Sequence, residues 1–303
     1  MTNLTIKQLR YFEALAKQGH FGRAAATCSI SQPALSVQIK DLETELGTAL
    51  FERGPRLVRL TSFGEDFALR VRDILRAFDE LGDFARAAQA QLAGRFRLGV
   101  IPTIAPYLLP TLIGDLARSH PDLDLHVRET LTPRLVQELH QGQIDTAIVA
   151  LPVSEAAFTE VPLFSENFVL VRPLEDACKP VPCADALRDM RLLLLEEGHC
   201  FRDQALSFCN AGPALPRDGL DGSSLSTLVQ MVGAGIGVTM IPEMAMAVEA
   251  RSAPVACAHF ANPQPERTIG MIWRKTNPLA PQLMEIAEVV RHCALAGAGE
   301  NNT

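Results

Sequence analysis

The sequence predicts an α/β protein in three parts: a compact helical head, one long helix, and a two-lobed α/β body. Three observations predict it. Helix-period apolar spacing with cap residues fills the first 60 positions, a strict seven-residue repeat follows, and beyond residue 94 short apolar runs alternate with helical segments. The chain of 303 residues is long enough for two or three compact units. Apolar residues make up 48% and charged ones 21%, which excludes a mainly disordered chain. No apolar run reaches the roughly 18 residues of a membrane span. The N-terminus carries charges throughout, unlike a secretory signal. Seven cysteines, an odd number at irregular spacing, point to free thiols in a reducing cytoplasm rather than to a disulfide framework.

In the head, Leu9, Phe12 and Leu15 place an amphipathic helix over 4–17, and Gly19-His20-Phe21-Gly22 ends it. Arg23-Ala-Ala-Ala-Thr-Cys28 is small enough for close helix packing, with Cys28 as a buried filler. Ser31 is a good N-cap and Pro33 suits a first turn, so a further helix starts there. Leu35, Ile39, Leu42 and Leu46 form its buried stripe. The other face offers Gln32, Ser36, Gln38 and Lys40, hydrogen-bonding side chains of the kind that read base edges in a major groove. Two short helices joined by a tight turn, the second polar outside, fit helix-turn-helix geometry; a plain three-helix cluster with a solvated face fits the same spacing. Residues 1–65 carry 8 Lys+Arg against 6 Asp+Glu, a net of +2 that leaves −9 for the rest of a chain of net −7. A mildly basic head on an acidic body suits a local nucleic-acid-binding module.

Next, Phe67, Val71, Ile74, Phe78, Leu81, Ala85, Ala88 and Leu92 recur at spacings of 4, 3, 4, 3, 4, 3 and 4. Ser62-x-x-Glu65 precedes them as a capping box. Such a helix can pack on its own domain or on a partner, and the strict period favours a coiled-coil partner. A dimer would place two readers on a two-fold symmetric site.

From residue 94, strand-like runs at 96–101, 123–127 and 144–150 alternate with helical segments at 106–119 and 133–141, which predicts a mostly parallel sheet with crossover helices. Strands over 168–171, 192–195 and 237–241, with helices from Arg202 and over 224–233, form a second set. A run over 267–273 and a helix from Pro281 return to the first lobe. The expected bounds are 1–60 for the head, 61–93 for the long helix and 94–303 for the body. Within the body, lobe I takes about 94–164 and 268–303, and lobe II about 165–267. No P-loop, G-x-G-x-x-G, G-x-S-x-G or H-E-x-x-H occurs, so neither an enzyme nor a cofactor is expected. Gly233-Ala-Gly-Ile-Gly237 follows a helix and precedes a strand, the reverse of the dinucleotide order, and reads as a helix stop.

Cys257 and Cys293 are isolated and read as structural. Cys178-x4-Cys183 is wider than the common zinc pair and no tight C-x-x-C supports it, so no metal is expected. The segment 192–209 is different. A strand ends at Glu196, Gly198 permits a turn, and a helix starts near Cys200, beside His199 and Arg202. Helix N-terminus, imidazole and guanidinium all favour thiolate, the form that attacks peroxide. Cys209 lies nine residues on, roughly 13 Å along an intact helix and on nearly the opposite face. A disulfide needs Cα atoms within about 7 Å, so joining the two sulfurs must unwind the segment. Two unrelated cysteines on one helix remain the bland alternative.

Two resemblances bear on these readings. The run FGRAAATCSISQPALSVQIKDLETELGTALFERGPRLVRLTSFGE resembles the winged helix-turn-helix of LysR-type transcriptional regulators. It implies a periplasmic-binding-protein-like regulatory domain after a coiled-coil linker. It also implies that residues 31–40, including Ser31, Gln32, Pro33, Ser36, Gln38 and Lys40, enter the major groove of operator DNA. Arg53 and Arg56, with Arg59, would meet phosphates or the minor groove from a wing at 50–60. G-H-C-x-R-D-Q-A-x-x-F-C at 198–209 resembles the switch of OxyR-type hydrogen-peroxide sensors within that family. By that resemblance Cys200 is the peroxidatic and Cys209 the resolving cysteine. Thr103 and Thr132 would hold peroxide, and His199, Arg202, Asp203 and Arg267 would support the site. The implied partners are RNA polymerase, a glutaredoxin- or thioredoxin-type reductant, and copies of the chain as homodimer and homotetramer. The regulated genes would serve oxidative stress. The extra cysteines at 178, 183, 257 and 293 depart from the pattern. The rival readings are a LysR-type regulator with a small-molecule effector between the lobes, and a cysteine peroxidase, against which the DNA-reading head argues.

Overall fold

The computed structural model describes residues 4–53, 58–87, 93–188, 190–209 and 221–300. The chain divides into two compact units, Met1–Ala85 and Arg86–Thr303.

In the first unit, α1 (Ile6–Gln18) is closed by a capping box in which the Thr5 hydroxyl accepts from the Gln8 N–H. Gly19, at φ 58°, ends it. The His20 Nδ1 accepts from the Gly22 N–H and so starts α2 (Phe21–Thr27). Helix α3 (Gln32–Leu46) begins where the sequence predicts, with the Ser31 hydroxyl accepting from the Ala34 N–H at 3.3 Å. Leu35, Ile39 and Leu42 are buried against Leu9, Phe12 and Leu15. The hairpin of β1 (Phe51–Arg53) and β2 (Val58–Leu60) follows, pairing Phe51 with Leu60. The Glu43 carboxylate fixes its base, accepting from the Leu50 and Phe51 N–H groups at 2.8 and 3.1 Å.

Helix α4 (Ser62–Ala87) corrects one detail. Its cap is Thr61, whose hydroxyl accepts from the Gly64 N–H at 2.9 Å, rather than a Ser62–Glu65 box. The hairpin sets this register, because a Cβ on Gly64 would lie 2.2 Å from the Leu50 carbonyl oxygen. The heptad seam also divides. Phe67 and Val71 pack on the head's own core, joined there by Leu75 from off the seam, whereas Ile74, Phe78 and Leu81 are 48%, 45% and 67% exposed. Ala88 and Leu92 lie outside the described residues.

In the second unit, β3 (Gly94–Val100), α5 (Ala105–Ser119), β4 (Leu123–Glu129), α6 (Thr132–His140) and β5 (Thr146–Leu151) form the expected alternation. Strand β6 (Phe158–Pro173), α7 (Ala184–Arg188), α8 (Cys200–Phe208), α9 (Leu225–Gly233), β7 (Thr239–Pro242), α10 (Met246–Glu249), β8 (Val255–His259), β9 (Glu266–Arg274) and α11 (Ala280–Glu300) complete it. The strand order is β4-β3-β5-β9-β6-β7, with β8 also on β6. The sheet is not mostly parallel. Only β3–β4 and β3–β5 are parallel among the named pairs, because β9 lies between β5 and β6 and runs antiparallel to both, and β7 and β8 run antiparallel to β6. Residues 192–195 make two isolated bridges, to Val238 and Gly222, instead of a strand.

Two apolar cores result. One gathers Phe96, Leu98, Ile148 and Trp273, the other Phe168, Leu170, Phe201, Val229 and Ile241. Strand β6 joins them: its first part pairs with β9, and residues from 168 on pair with β7 and β8. No described helix is long and apolar enough to cross a membrane.

Candidate functional site

On α3 the outward positions are Gln32, Pro33, Ala34, Val37 and Lys40, with Ser36 and Gln38 half-buried at the flanks. Gln38 therefore sits nearer the core than the sequence pattern suggests. Val37, 55% exposed, was not foreseen; the apolar stripe draws attention inward, and one valine facing out leaves no periodic signal. The Arg53 side chain and the whole of Arg56 lie outside the described residues.

The second site forms where the two cores meet. Gly198, at φ +95°, turns the chain against Leu131; a Cβ there would lie 3.1 Å from Leu131 Cδ1. His199 is the N-cap of α8 but makes no side-chain cap bond. It is buried, and burial holds its pKa below the usual histidine value against the opposing pull of Glu196. Cys200, the first helical residue, is half-buried and packs on the first core. Cys209 closes the helix from within the second core, and burial pushes its thiol up to about 11. Both cysteines are free, at the two ends of an intact helix.

A cavity of about 340 Å³ opens beside this turn, lined by Thr103, Tyr107, Leu131, His199, Ser224 and Ser226 among others. Thr103 is held there by Arg267, whose Nη1 donates to its hydroxyl oxygen at 2.8 Å. Arg267 is buried, lies 5.6 Å over the Phe201 ring of α8, and donates from Nε and Nη2 to Glu166. Thr132 adjoins the lining residue Leu131; its hydroxyl is buried and no described group bonds it. An unbonded buried hydroxyl costs roughly 1–3 kcal/mol, which a small hydrogen-bonding ligand would offset. Across the cavity the Tyr107 hydroxyl donates to Glu249 at 2.7 Å, and the Ser226 hydroxyl donates to the same oxygen at 2.9 Å. Burial first, and then this bond, raises the Tyr107 pKa.

Two expected members are placed elsewhere. Arg202 turns its guanidinium onto the Leu195 carbonyl at 2.6 Å and Asp221 at 3.1 Å, so it anchors the first turn of α8 rather than attending the thiol. Asp203 is exposed and lines a separate groove with Phe168, Phe208 and Pro265. Glu166, Tyr107, Ser226 and Glu249 were not foreseen. Glu166 faces Arg267 directly in the β6–β9 register, a relation invisible until that antiparallel pairing is known. Of the other cysteines, Cys178 and Cys183 are exposed, Cys28 and Cys257 are half-buried rather than fully enclosed, and Cys293 is buried with its Sγ donating to Asp115 at 3.2 Å. Among the described residues no three His, Cys, Asp or Glu side chains are grouped to hold a metal ion.

Residues 6–65 match the family model "Bacterial regulatory helix-turn-helix protein, lysR family", and residues 89–294 match "LysR substrate binding domain". The chain is 43% identical over 292 residues to a probable hydrogen peroxide-inducible genes activator of Streptomyces viridosporus, covering 95% of this chain and 93% of that one. It is 39% identical to the DNA-binding transcriptional dual regulator OxyR of Escherichia coli, covering 95% of each. Among solved structures it resembles a full-length OxyR cysteine variant from Pseudomonas aeruginosa, with TM-score 0.76 and 37% identity over 96% of each chain. It also resembles a peroxide-bound OxyR cysteine variant from Corynebacterium glutamicum, with TM-score 0.68 and 34% identity over 97% of this chain and 94% of that one.

Proposed function

The chain belongs to the LysR family of transcriptional regulators, and on that premise we propose that it is a hydrogen-peroxide sensor that controls oxidative-stress genes through a Cys200–Cys209 disulfide. The carrying observation is the placement of two free thiols at opposite ends of one nine-residue helix, the first beside a cavity that Thr103 and His199 line. In the first step the Cys200 thiolate attacks one peroxide oxygen, the O–O bond breaks, and hydroxide leaves and takes up a proton. The sulfur, oxidised by two electrons, becomes sulfenic acid. Thr103, the unbonded Thr132 hydroxyl and neutral His199 hold the peroxide. Cys209, as thiolate, then attacks that sulfur; the S–O bond breaks, hydroxide leaves and takes up the proton that the Cys209 thiol released, giving a second water, and the disulfide requires α8 to unwind. Arg267 and Arg202 hold the surroundings.

In this reading Gln32, Pro33, Ser36, Gln38 and Lys40 of α3, started by Ser31, meet the major groove of double-stranded operator DNA, with Arg53 and Arg56 at the wing. Ile74, Phe78 and Leu81 supply the apolar seam of a homodimer, two of which make a tetramer. RNA polymerase is the target of the switched form, a glutaredoxin- or thioredoxin-type dithiol resets it, and the reducing cytoplasm is its compartment. Segments 1–60, 61–93 and 94–303 act as reader, linker and sensor. The protein senses stoichiometrically instead of turning peroxide over.

Cys200→Ser is expected to abolish the peroxide-induced change in operator footprint. Cys209→Ser is expected to stop at Cys200 sulfenic acid, or at a mixed disulfide with added thiol. Peptide mapping that joins Cys200 to Cys178 or Cys183 instead would overturn the mechanism. One further observation favours a second reading. A cavity of about 340 Å³ exceeds what a peroxide needs and falls in the range of small-molecule sites, so an effector seated against Ser224 and Ser226 is the alternative. Calorimetry with the reduced protein and the displacement of such a ligand from lysate would reveal it.

A further inference from the structure

Resting on that reading, we infer that Glu166 is a positioning residue for peroxide: it fixes Arg267 so that the Thr103 hydroxyl donates into the cavity beside Cys200. Arg267 lies at the crossing between the two cores, in the β9 position directly opposite Glu166 on β6. Its side chain is fully buried, and an enclosed guanidinium needs a counter-charge and acceptors for its donors. Glu166 supplies both, one carboxylate oxygen accepting from Nε at 2.9 Å and from Nη2 at 2.7 Å. Its other oxygen accepts from the Met244 N–H at 3.2 Å, so the carboxylate is itself held by the backbone that follows β7.

With two guanidinium nitrogens fixed in this way, the third points at Thr103. Nη1 donates to the Thr103 hydroxyl oxygen at 2.8 Å, and Nη2 reaches the Thr103 carbonyl at 3.2 Å. A guanidinium has no acceptor, so it takes a lone pair of that hydroxyl and leaves the hydroxyl hydrogen to point elsewhere. Thr103 lines the cavity with His199, and its hydrogen is therefore available to a peroxide oxygen. As the O–O bond breaks, negative charge grows on the departing oxygen, and a donor already aimed there lowers the barrier. Removing the charge of Glu166 frees the Arg267 fork to rotate, and Thr103 loses its fixed orientation.

The test compares two reactions of one thiol. Glu166→Gln, which keeps the shape, is expected to slow Cys200 oxidation by hydrogen peroxide at least tenfold. Alkylation of Cys200 by iodoacetamide, which uses no aimed hydroxyl, should change less than twofold. Thr103→Val should slow peroxide oxidation likewise, and adding Glu166→Gln to it should cost nothing more. Parallel loss of both reactions, or additive losses in the double variant, overturns the positioning role. Should Glu166→Gln fail to fold, Glu166→Asp carries the test, with the same peroxide-selective loss expected and its absence overturning the inference. If the unmodified chain oxidises Cys200 no faster than exposed Cys178, the sensing reading itself fails. If it oxidises Cys200 selectively but Glu166→Gln leaves the ratio of the two rates unchanged, only the role of Glu166 fails.

Discussion

Helix α3 spans 15 residues between a Ser31 hydroxyl cap and Gly47 in the left-handed conformation at φ 66°. Helix α8 spans nine, begins on His199 without a side-chain cap bond, and ends on Cys209 at φ −75°. The buried stripe of α3 is aliphatic, whereas α8 places reactive sulfur at both ends. Short helices without caps are marginal in isolation, and their persistence depends on packing. Under the proposed function, the difference lets α3 keep its shape on DNA and α8 lose its own on oxidation. Phe201, Arg202 and Ala205 hold α8 by tertiary contacts that a new covalent bond can outweigh.

The largest expected effect tests that contrast directly. On oxidation, amide exchange across 202–208 should accelerate by orders of magnitude, while Leu35, Ile39 and Leu42 stay protected. Equal protection of α8 before and after would erase the contrast. Next, Gln32→Ala should weaken specific operator binding by about 1–3 kcal/mol and relax base preference. An unchanged affinity at two salt concentrations would remove α3 from the groove. Ser31→Ala should lower the head's stability by about 1 kcal/mol, read by denaturant unfolding, and leave peroxide reactivity alone. A further effect is in pH. The folded Cys209 thiol titrates near 11, above the unfolded value, so the unfolded chain gives up its proton first. Stability of the reduced sensor domain is therefore intact below the ordinary thiol range and declines as pH rises towards 11. Cys209→Ala should flatten that decline, and an unaltered slope would mean that Cys209 is not enclosed in solution.

Much of this was legible in residue order. Caps, glycine stops and apolar periods are local, so α1, α3, α8 and the β3–β5 alternation could be placed from spacing alone. The long strand β6 could not. Pro162 and the register shift beside it interrupt the alternation, and its first part is paired with β9, a hundred residues away. The same remoteness hid Glu166. Arg202 misled for another reason. Nearness in sequence placed its charge beside the thiol, but the buried carbonyl of Leu195 was an acceptor needing a donor, and it took the guanidinium. The heptad repeat was legible as a period, whereas which part of it the head itself would cover depended on the hairpin's position.

Cys209 has no exposed surface, and that gives the molecule a sense of duration. Ring closure waits on a local opening, so its rate is the chemical rate scaled by the open fraction. An opening of about 3 kcal/mol makes it roughly a hundredfold slower. During that wait the sulfenic acid at Cys200 can meet a passing thiol, which gives a mixed disulfide and water, and a second thiol then restores Cys200. The two fates run as a race, in which a brief pulse of oxidant is erased and a sustained one is recorded. Depth of burial at one end of a helix thus becomes a clock, and substitutions that loosen the second core around Phe201 and Val229 would make it run fast.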